Sequence, residues 1–237
     1  MIFPIGDDQV KRGYTPYFSY AIIVINILVY LFQLTLPLES ANAFVYTFGA
    51  IPANLTQGYS WFTIFTSMFL HANWLHLLGN LLFMWVFADN IEATIGNFKF
   101  LIFYLLGGIG ATITHTYMYP YSEVPCIGAS GAISAIMGAY LIMFPSSRIK
   151  VLFFLFTFRV PAFIFLGLWI FQQYSNGVAA LAPENINTTT VAWWAHLGGV
   201  AFGLVVGLFF RKYIPSDDDD DYPNLNSNEL LVNQDYV

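Results

Sequence analysis

Residues 126–144 read CIGASGAISAIMGAYLIMF and contain no charged side chain. A helix needs about 20 apolar residues to cross the hydrocarbon of a bilayer, so this stretch has the character of a transmembrane helix. Ser130, Ser134 and Gly138 recur at every fourth position and therefore share one face of that helix. A face of small residues allows a second helix to approach closely. We therefore expect this stretch to pack tightly within a bundle of membrane helices.

Five further stretches of similar length and apolarity lie along the chain. The six predicted transmembrane helices cover residues 17–38, 69–88, 98–118, 126–144, 157–176 and 190–210. The composition agrees, since 57% of the 237 residues are hydrophobic and 9% are charged. In a soluble domain about 25% of the residues are charged, and a soluble globule could not cover its surface with so few charges. We expect an all-α integral membrane protein whose six-helix domain occupies residues 17–212.

The basic residues predict the orientation of these helices, because the cytoplasmic flanks of membrane helices are enriched in Lys and Arg. The eight basic residues are Lys11, Arg12, Lys99, Arg148, Lys150, Arg159, Arg211 and Lys212. All eight fall on one side of the membrane if the N-terminus is cytoplasmic, and the three loops on the other side contain none. This orientation predicts a short cytoplasmic N-terminus, residues 1–16, and a cytoplasmic C-terminus.

The acidic residues are concentrated in one run, Asp217 to Asp221, within a polar segment at residues 213–237. We expect this segment to form a disordered cytoplasmic tail, since it has too few apolar residues to bury a core. The run accounts for most of the net charge of −6, and the remainder is close to neutral. Nucleic acid is therefore not an expected partner, whereas the lipid bilayer is. The single cysteine, Cys126, allows neither an internal disulfide nor a Cys-based zinc site.

Two further expectations concern the first part of the chain. Lys11 and Arg12, followed by an apolar run, resemble a cleavable signal peptide, but the run is longer than the core of a usual signal. We therefore expect it to be retained as the first membrane helix. Residues 58–68, which include Trp61, are expected to lie at the membrane interface within the first long loop.

Polar residues occur at one depth in three of the predicted helices. The second, fourth and sixth helices enter from the outer side, and His76, Ser130 and His196 lie roughly 6–10 Å below that side at about 1.5 Å per residue. Asn80 lies one turn deeper than His76 on the same face. Ionisable groups inside a membrane are costly, which makes them candidates for function. The sixth helix also has a face of small residues, which recur every four positions at Ala195, Gly199, Gly203 and Gly207. Close packing of the fourth and sixth helices along these faces would let His196 activate the Ser130 hydroxyl as a nucleophile.

No carboxylate is expected near Ser130, because Asp89 and Glu92 lie at the inner end of the second predicted helix. The sequence therefore predicts a dyad of Ser130 and His196 rather than a triad. An acyl-transfer site also needs hydrogen-bond donors for an oxyanion. The candidates are His76, Asn80 and the backbone N–H groups of the turn before Ser130.

Each of these residues also has a structural interpretation. GASG motifs are common at the interfaces of membrane helices, and a lone His or Asn can hydrogen-bond a neighbouring helix. For His115, which has no obvious chemical partner in the sequence, packing is the favoured interpretation. The agreement in depth across three helices is what favours a catalytic site.

Three motifs resemble the signature set of the rhomboid intramembrane serine proteases. They are HANWLHLLGN at residues 71–80, GASG at residues 128–131 and AHLGG at residues 195–199. Each motif is weak alone, but the combination, with this order and these helix positions, is specific. The resemblance covers roughly residues 17–212 and implies the six-helix fold of that family.

The resemblance implies that Ser130 is the nucleophile and that His196 is its general base and then the acid for the leaving amine. It also implies an oxyanion hole formed by His76, Asn80 and the Ser130 backbone N–H, with Gly128 shaping the turn. The implied reaction is hydrolysis of a peptide bond in or beside a transmembrane segment of a substrate protein, without a metal or cofactor. We expect a plasma-membrane location and a site that opens to the extracytoplasmic side.

Two other functions are compatible with parts of the sequence. A catalytically silent rhomboid-like chaperone or adaptor would engage membrane helices without cutting them, but the intact Ser130 and His196 argue against it. A proton-coupled transporter would use the histidines, yet no inverted repeat is evident and the polar groups lie away from the midplane.

Overall fold

The computed structural model describes residues 2–8, 14–182 and 191–214, most of which are helical. The helices are α1 (Tyr17–Thr35), α2 (Leu38–Phe48), α3 (Pro52–Thr56), α4 (Thr63–Thr66), α5 (Trp74–Ile95), α6 (Asn97–Met118), α7 (Ser130–Met143), α8 (Ala162–Ala179) and α9 (Trp193–Phe210). The predicted acidic tail beyond residue 214 and the loop at residues 183–190 lie outside the described residues.

The long helices α1 and α5 to α9 follow the six predicted apolar stretches in order. Three segments are long and apolar enough to cross a membrane: Tyr17–Thr35, Asn97–Met118 and Trp193–Tyr213. Many large apolar side chains on the outward faces of the bundle are exposed, such as Leu75 and Tyr117. So much apolar surface is stable in contact with lipid rather than water. The chain is therefore an integral membrane protein.

Several observed helix ends differ from the predicted ones, most of all in α5, α7 and α8. Helix α5 continues to Ile95 instead of ending at residue 88, and it stops at Gly96, whose positive φ of 84° breaks the helix. Helix α7 begins at Ser130 instead of residue 126. Helix α8 begins at Ala162 instead of residue 157, because a strand occupies the preceding residues.

A three-stranded antiparallel sheet corrects the prediction of an all-α fold. Its strands are β1 (Ile2–Gly6), β2 (Arg148–Phe153) and β3 (Phe156–Pro161), in the order β1-β2-β3. In β2, Ile149 and Val151 are buried while Arg148 and Lys150 are exposed, which is the alternation of a half-buried strand. The prediction missed β3 because its apolar residues run directly into helix α8.

Helices α7 and α9 pack with almost no space between them. A Cβ atom added to Gly203 would lie 2.8 Å from the carbonyl carbon of Ala135, and one added to Gly207 would lie 2.9 Å from the Cα of Ala139. Such distances are too short for a real side chain, so only glycine permits this approach. The predicted packing of the two small-residue faces is therefore confirmed.

Glu92, which is completely buried, joins α5 to the start of α1. Its carboxylate accepts hydrogen bonds from the backbone N–H groups of Phe18 and Ser19, at 2.9 and 2.8 Å, and from the Ser19 hydroxyl at 2.6 Å. The first N–H groups of a helix have no acceptor within the helix, and a carboxylate there also interacts favourably with the helix dipole. Glu92 thus has a structural role far from the candidate site.

The long connection between α1 and α5 contains more structure than the sequence indicated. Helix α2 was not predicted, and the expected interfacial segment at residues 58–68 contains α4 and most of a 3₁₀ turn at Ser67–Phe69. Thr63, Ile64 and Met68 are buried against the bundle, while Trp61 and Phe62 are exposed. One side of this segment therefore packs against the bundle, and the aromatic rings of Trp61 and Phe62 lie exposed on its other side.

Candidate active site

The candidate catalytic residues lie at the N-terminal ends of three helices. Ser130 is the first residue of α7, His76 the third of α5 and His196 the fourth of α9. The N-terminal N–H groups of a helix have no intrahelical acceptor and carry partial positive charge. The three helices thus direct positive ends toward one region, where negative charge would be stabilised.

Ser130 and His196 are hydrogen-bonded to each other. The Ser130 hydroxyl oxygen lies 2.9 Å from Nε2 of His196. The α7–α9 packing creates this distance, because a Cβ added to Gly199 would collide with the Gly131 carbonyl oxygen and lie 3.0 Å from the Ser134 Cβ. The glycine allows α9 to approach α7 one turn from the pair, which brings the imidazole to the serine. A neutral imidazole in this position can accept the hydroxyl proton.

The other ring nitrogen of His196 also has a partner, which the sequence did not identify. Nδ1 of His196 lies 2.7 Å from Oε1 of Gln173, a buried side chain on α8. The indole rings of Trp169 and Trp193 flank the imidazole at 5.9 and 6.3 Å between ring centroids. The ring is therefore held by an amide and two aromatic side chains, with no carboxylate among these contacts.

The side chain of Asn80 is hydrogen-bonded to His71. Its Nδ2 donates to Nε2 of His71 at 2.8 Å. The backbone of His71 is in turn fixed by Gln33 of α1, which accepts from its N–H at 3.1 Å and donates to its carbonyl at 3.2 Å. The sequence favoured an interfacial position or a contact with water for His71, but its side chain is buried. The structure shows that His71 and Gln33 position Asn80.

Gly128 lies directly beside His76 and Asn80. Its φ of 117° belongs to the region that favours glycine. A Cβ at this position would lie 2.7 Å from Nε2 of His76 and 3.4 Å from Nδ2 of Asn80. The Gly128 N–H donates to the Ser67 carbonyl at 2.8 Å, which fixes the turn before α7. The turn thus keeps the space in front of these two side chains free.

Several of these groups line a cavity of about 500 Å³. Its wall includes His76, Asn80, Ser130 and His196, as well as His115. His115 has a buried Nδ1 with no hydrogen-bond partner among the described residues. Among those residues no group of three or more His, Cys, Asp or Glu side chains could hold a metal ion.

The chain was compared with known protein families and proteins. Residues 58–213 match the model of the Rhomboid domain. The chain belongs to the rhomboid family. It is 30% identical over 207 residues to Rhomboid protease AarA of Providencia stuartii, an alignment that covers 80% of this chain and 70% of that protein.

Two further rhomboid relatives are similar over different lengths. Rhomboid-like protein 11, chloroplastic, of Arabidopsis thaliana is 28% identical over 84% of this chain and 68% of its own length. Rhomboid protease GluP of Bacillus subtilis is 34% identical over 56% of this chain, but over only 26% of its own length. The residues that match the family model, 58–213, include the candidate site of this rhomboid.

Proposed function

We propose that this rhomboid is an intramembrane serine endopeptidase that hydrolyses peptide bonds in or beside transmembrane segments of membrane proteins. The observation that carries the proposal is the 2.9 Å hydrogen bond between the Ser130 hydroxyl and Nε2 of His196. Both groups line a cavity large enough for an extended peptide segment and water. The similarity to proteins named rhomboid proteases supports the same reaction class.

The reaction proceeds in two halves, each of which moves one proton through His196. In the first, Ser130 Oγ attacks the scissile carbonyl carbon while Nε2 of His196 takes the hydroxyl proton. The imidazolium then donates that proton to the leaving amine, which departs and leaves an acyl-enzyme on Ser130. In the second half, His196 takes a proton from the water that attacks the ester carbon. The imidazolium then returns this proton to Ser130 Oγ as the acyl–oxygen bond breaks and the acid is released.

Each tetrahedral intermediate carries an oxyanion that needs hydrogen-bond donors. We assign this role to the side chains of His76 and Asn80 and to the backbone N–H of Ser130, with Gly128 keeping the space open. Nδ2 of Asn80 has two N–H bonds, of which His71 uses one, so the second is available to the oxyanion. The N-terminal position of Ser130 in α7 adds the helix dipole to the same charge.

We further propose six membrane-spanning helices with both termini cytoplasmic and a site that opens to the extracytoplasmic side. Long helices α5, α7 and α9 all begin at the end of the bundle that carries the site. The described basic residues lie at the opposite end of the bundle. Lys99 is near the start of α6, Arg148, Lys150 and Arg159 are in the β2–β3 hairpin, and Arg211 and Lys212 follow α9. The plasma membrane stays a prediction, because relatives include proteins named chloroplastic and mitochondrial.

The proposal is tested by labelling the purified protein with a fluorophosphonate, which reacts with activated serines. We expect the wild type to be labelled and to cleave a membrane-anchored reporter, whereas Ser130→Ala and His196→Ala do neither although they insert into the membrane normally. A wild-type protein that is not labelled, or a Ser130→Ala variant that still cleaves, would contradict the proposal. The first outcome would favour the chaperone or adaptor.

A further inference from the structure

The imidazole of His196 has two ring nitrogens, and each of them lies within hydrogen-bond distance of a different side chain. Nε2 faces the Ser130 hydroxyl at 2.9 Å, and Nδ1 faces Oε1 of Gln173 at 2.7 Å. A neutral imidazole carries one proton, so one nitrogen donates while the other accepts. Which nitrogen carries the proton decides whether His196 can act as a base toward Ser130.

An amide oxygen can only accept a hydrogen bond, so Gln173 selects one of the two tautomers. With Oε1 facing the ring, the proton of His196 must be on Nδ1. The lone pair of Nε2 is then directed at the Ser130 hydroxyl, which is the arrangement that general-base catalysis requires. In the other tautomer Nε2 would carry a hydrogen atom and could not take the serine proton.

The position of Gln173 in α8 indicates that the contact is specific. The buried residues of this helix are Ala162, Leu166, Gln173 and Gly177, and Gln173 is the one among them with a polar side chain. Gln172, the adjacent glutamine, is exposed. A polar side chain buried in an apolar bundle costs free energy unless it is hydrogen-bonded. The His196 imidazole supplies a hydrogen bond to the Gln173 oxygen.

A glutamine suits this place better than an acid would. Burying an ionised carboxylate inside a membrane protein costs far more free energy than burying a neutral amide. The amide oxygen still presents its negative end to Nδ1–H and so stabilises the imidazolium that forms when His196 takes the proton. Other described neighbours of the ring, Trp169 and Trp193, can fix its plane but not its tautomer.

We propose that Gln173 is a positioning residue that fixes the tautomer and orientation of His196. Ser130, His196 and Gln173 then form one chain of hydrogen bonds, in which the proton moves only between Ser130 and His196. This inference rests on the proposed protease activity. It makes the catalytic unit three residues from three helices, in which a neutral amide takes the place that an acid holds in Ser-His-Asp triads. Helix α8 thereby becomes part of the catalytic machinery rather than a lipid-facing support.

Three variants of the full-length protein in detergent micelles test this inference. Gln173→Met keeps the length of the side chain but removes the acceptor, Gln173→Glu keeps an acceptor oxygen, and Gln172→Met makes the same change at the exposed neighbour. The readouts are the rate of fluorophosphonate labelling of Ser130, kcat and KM for a reporter, and the midpoint of thermal unfolding.

We expect Gln173→Met to lower the labelling rate and kcat by about 10- to 100-fold, as a weakened general base does, with KM nearly unchanged. Gln173→Glu should recover most of this loss, and Gln172→Met should behave as the wild type. The inference is overturned if Gln173→Met reacts at the wild-type rate, or if Gln173→Glu is as slow as Gln173→Met while both melt like the wild type. An unlabelled wild type would instead refute the protease activity itself.

Discussion

At the scale of single residues, Gly128 is a position where the addition of one methyl group should strongly reduce catalysis. Its φ of 117° is unfavourable for other residues, and a Cβ would lie 2.7 Å from Nε2 of His76. Gly128→Ala should displace this oxyanion donor. Because losing one such donor costs about 10²- to 10³-fold in kcat, we expect a loss of this size in reporter cleavage.

Gly58 provides a matched control for this prediction. Its φ is 83°, so alanine is also unfavourable there, but nothing lies within 4 Å of an added Cβ. Both substitutions should cost a similar backbone strain of about 1–2 kcal/mol. Gly58→Ala should therefore lower the melting temperature through backbone strain alone and yet keep reporter cleavage. Equal activity of the two variants would show that the space at Gly128 is not needed.

The sequence indicated the two residues of the candidate dyad but not all the residues that hold them. Ser130 and His196 could be paired because small residues repeat every fourth position on both of their helices, which predicts close packing. Gln173 and His71 gave no comparable signal. A single Gln in an apolar helix does not reveal which neighbour it faces, because that depends on the rotation of α8 in the bundle. The structure shows that Gln173 lies on the buried face of α8, seven positions after Leu166 and four before Gly177.

At the scale of helices and strands, the packing of α9 on α7 determines the distance between the Ser130 hydroxyl and the His196 imidazole. Gly203 lies about two turns beyond His196 on the same helix, and a Cβ there would overlap the Ala135 carbonyl. We expect Gly203→Ala to destabilise the protein by about 1–3 kcal/mol, as overpacking of a core does. The helices would also move apart, so reporter cleavage should fall. Thermal unfolding in detergent measures the first effect.

Gly167 in α8 is the control for overpacking, since nothing lies within 4 Å of an added Cβ at this position. Gly167→Ala introduces the same methyl group into a helix of the same bundle without a collision. Its melting temperature should equal or exceed that of the wild type, because alanine favours helix more than glycine does. If Gly203→Ala were equally stable, the close approach of α7 and α9 would not limit stability.

The small sheet is attached to the helices through Asp7, which follows β1. Its Oδ2 accepts hydrogen bonds from the Tyr140 hydroxyl at 2.5 Å and from Nδ2 of Asn90 at 2.6 Å. Burial, with a further contribution from the nearby Asp89 carboxylate, raises the pKa of Asp7 from 3.8 to about 8. The adjacent Asp8 is paired with Arg159 at 3.0 Å. The protonated form of Asp7 is thus favoured when β1 is docked.

This pKa predicts how the stability of the folded protein depends on pH. The folded chain holds the Asp7 proton more tightly than the unfolded chain, so the free energy of unfolding decreases as pH rises from about 4 to about 8. Asp7→Asn mimics the protonated side chain and should remove this contribution. We expect the wild type to lose more stability than Asp7→Asn between pH 6 and pH 8.5, measured by thermal unfolding. Parallel curves would mean that Asp7 is charged in the folded state.

The strands were not predicted from the sequence, because their residues give no separate local signal. The strand β3 is followed without a break by α8, so their apolar residues form one run. Strand β1 has five residues and pairs with β2 across more than 140 positions of sequence, for which no local signal exists. The long helices were predictable because each supplies its own apolar stretch.

At the scale of the whole molecule, the candidate site and the basic residues lie at opposite ends of the bundle. Ser130 and His196 begin their helices, whereas Arg211 follows the end of α9, and Arg148 lies in the sheet after α7. Moving many Lys and Arg residues across a membrane is unfavourable, which is why they accumulate on the cytoplasmic side. This distribution predicts that the connection before α7 faces outward and that the β2–β3 hairpin faces the cytoplasm.

Single cysteines test this orientation directly, because Cys126 is the only natural one. In a Cys126→Ser background that still cleaves the reporter, Tyr121→Cys lies in the connection before α7 and Leu155→Cys at the hairpin tip. Both side chains are exposed, 88% and 93%, so neither site is protected by the protein. A membrane-impermeant maleimide added to intact cells should label Tyr121→Cys alone and should reach Leu155→Cys only after permeabilisation. The reverse labelling pattern would place the site on the cytoplasmic side. It would then cleave near the cytoplasmic ends of the transmembrane segments of its substrates.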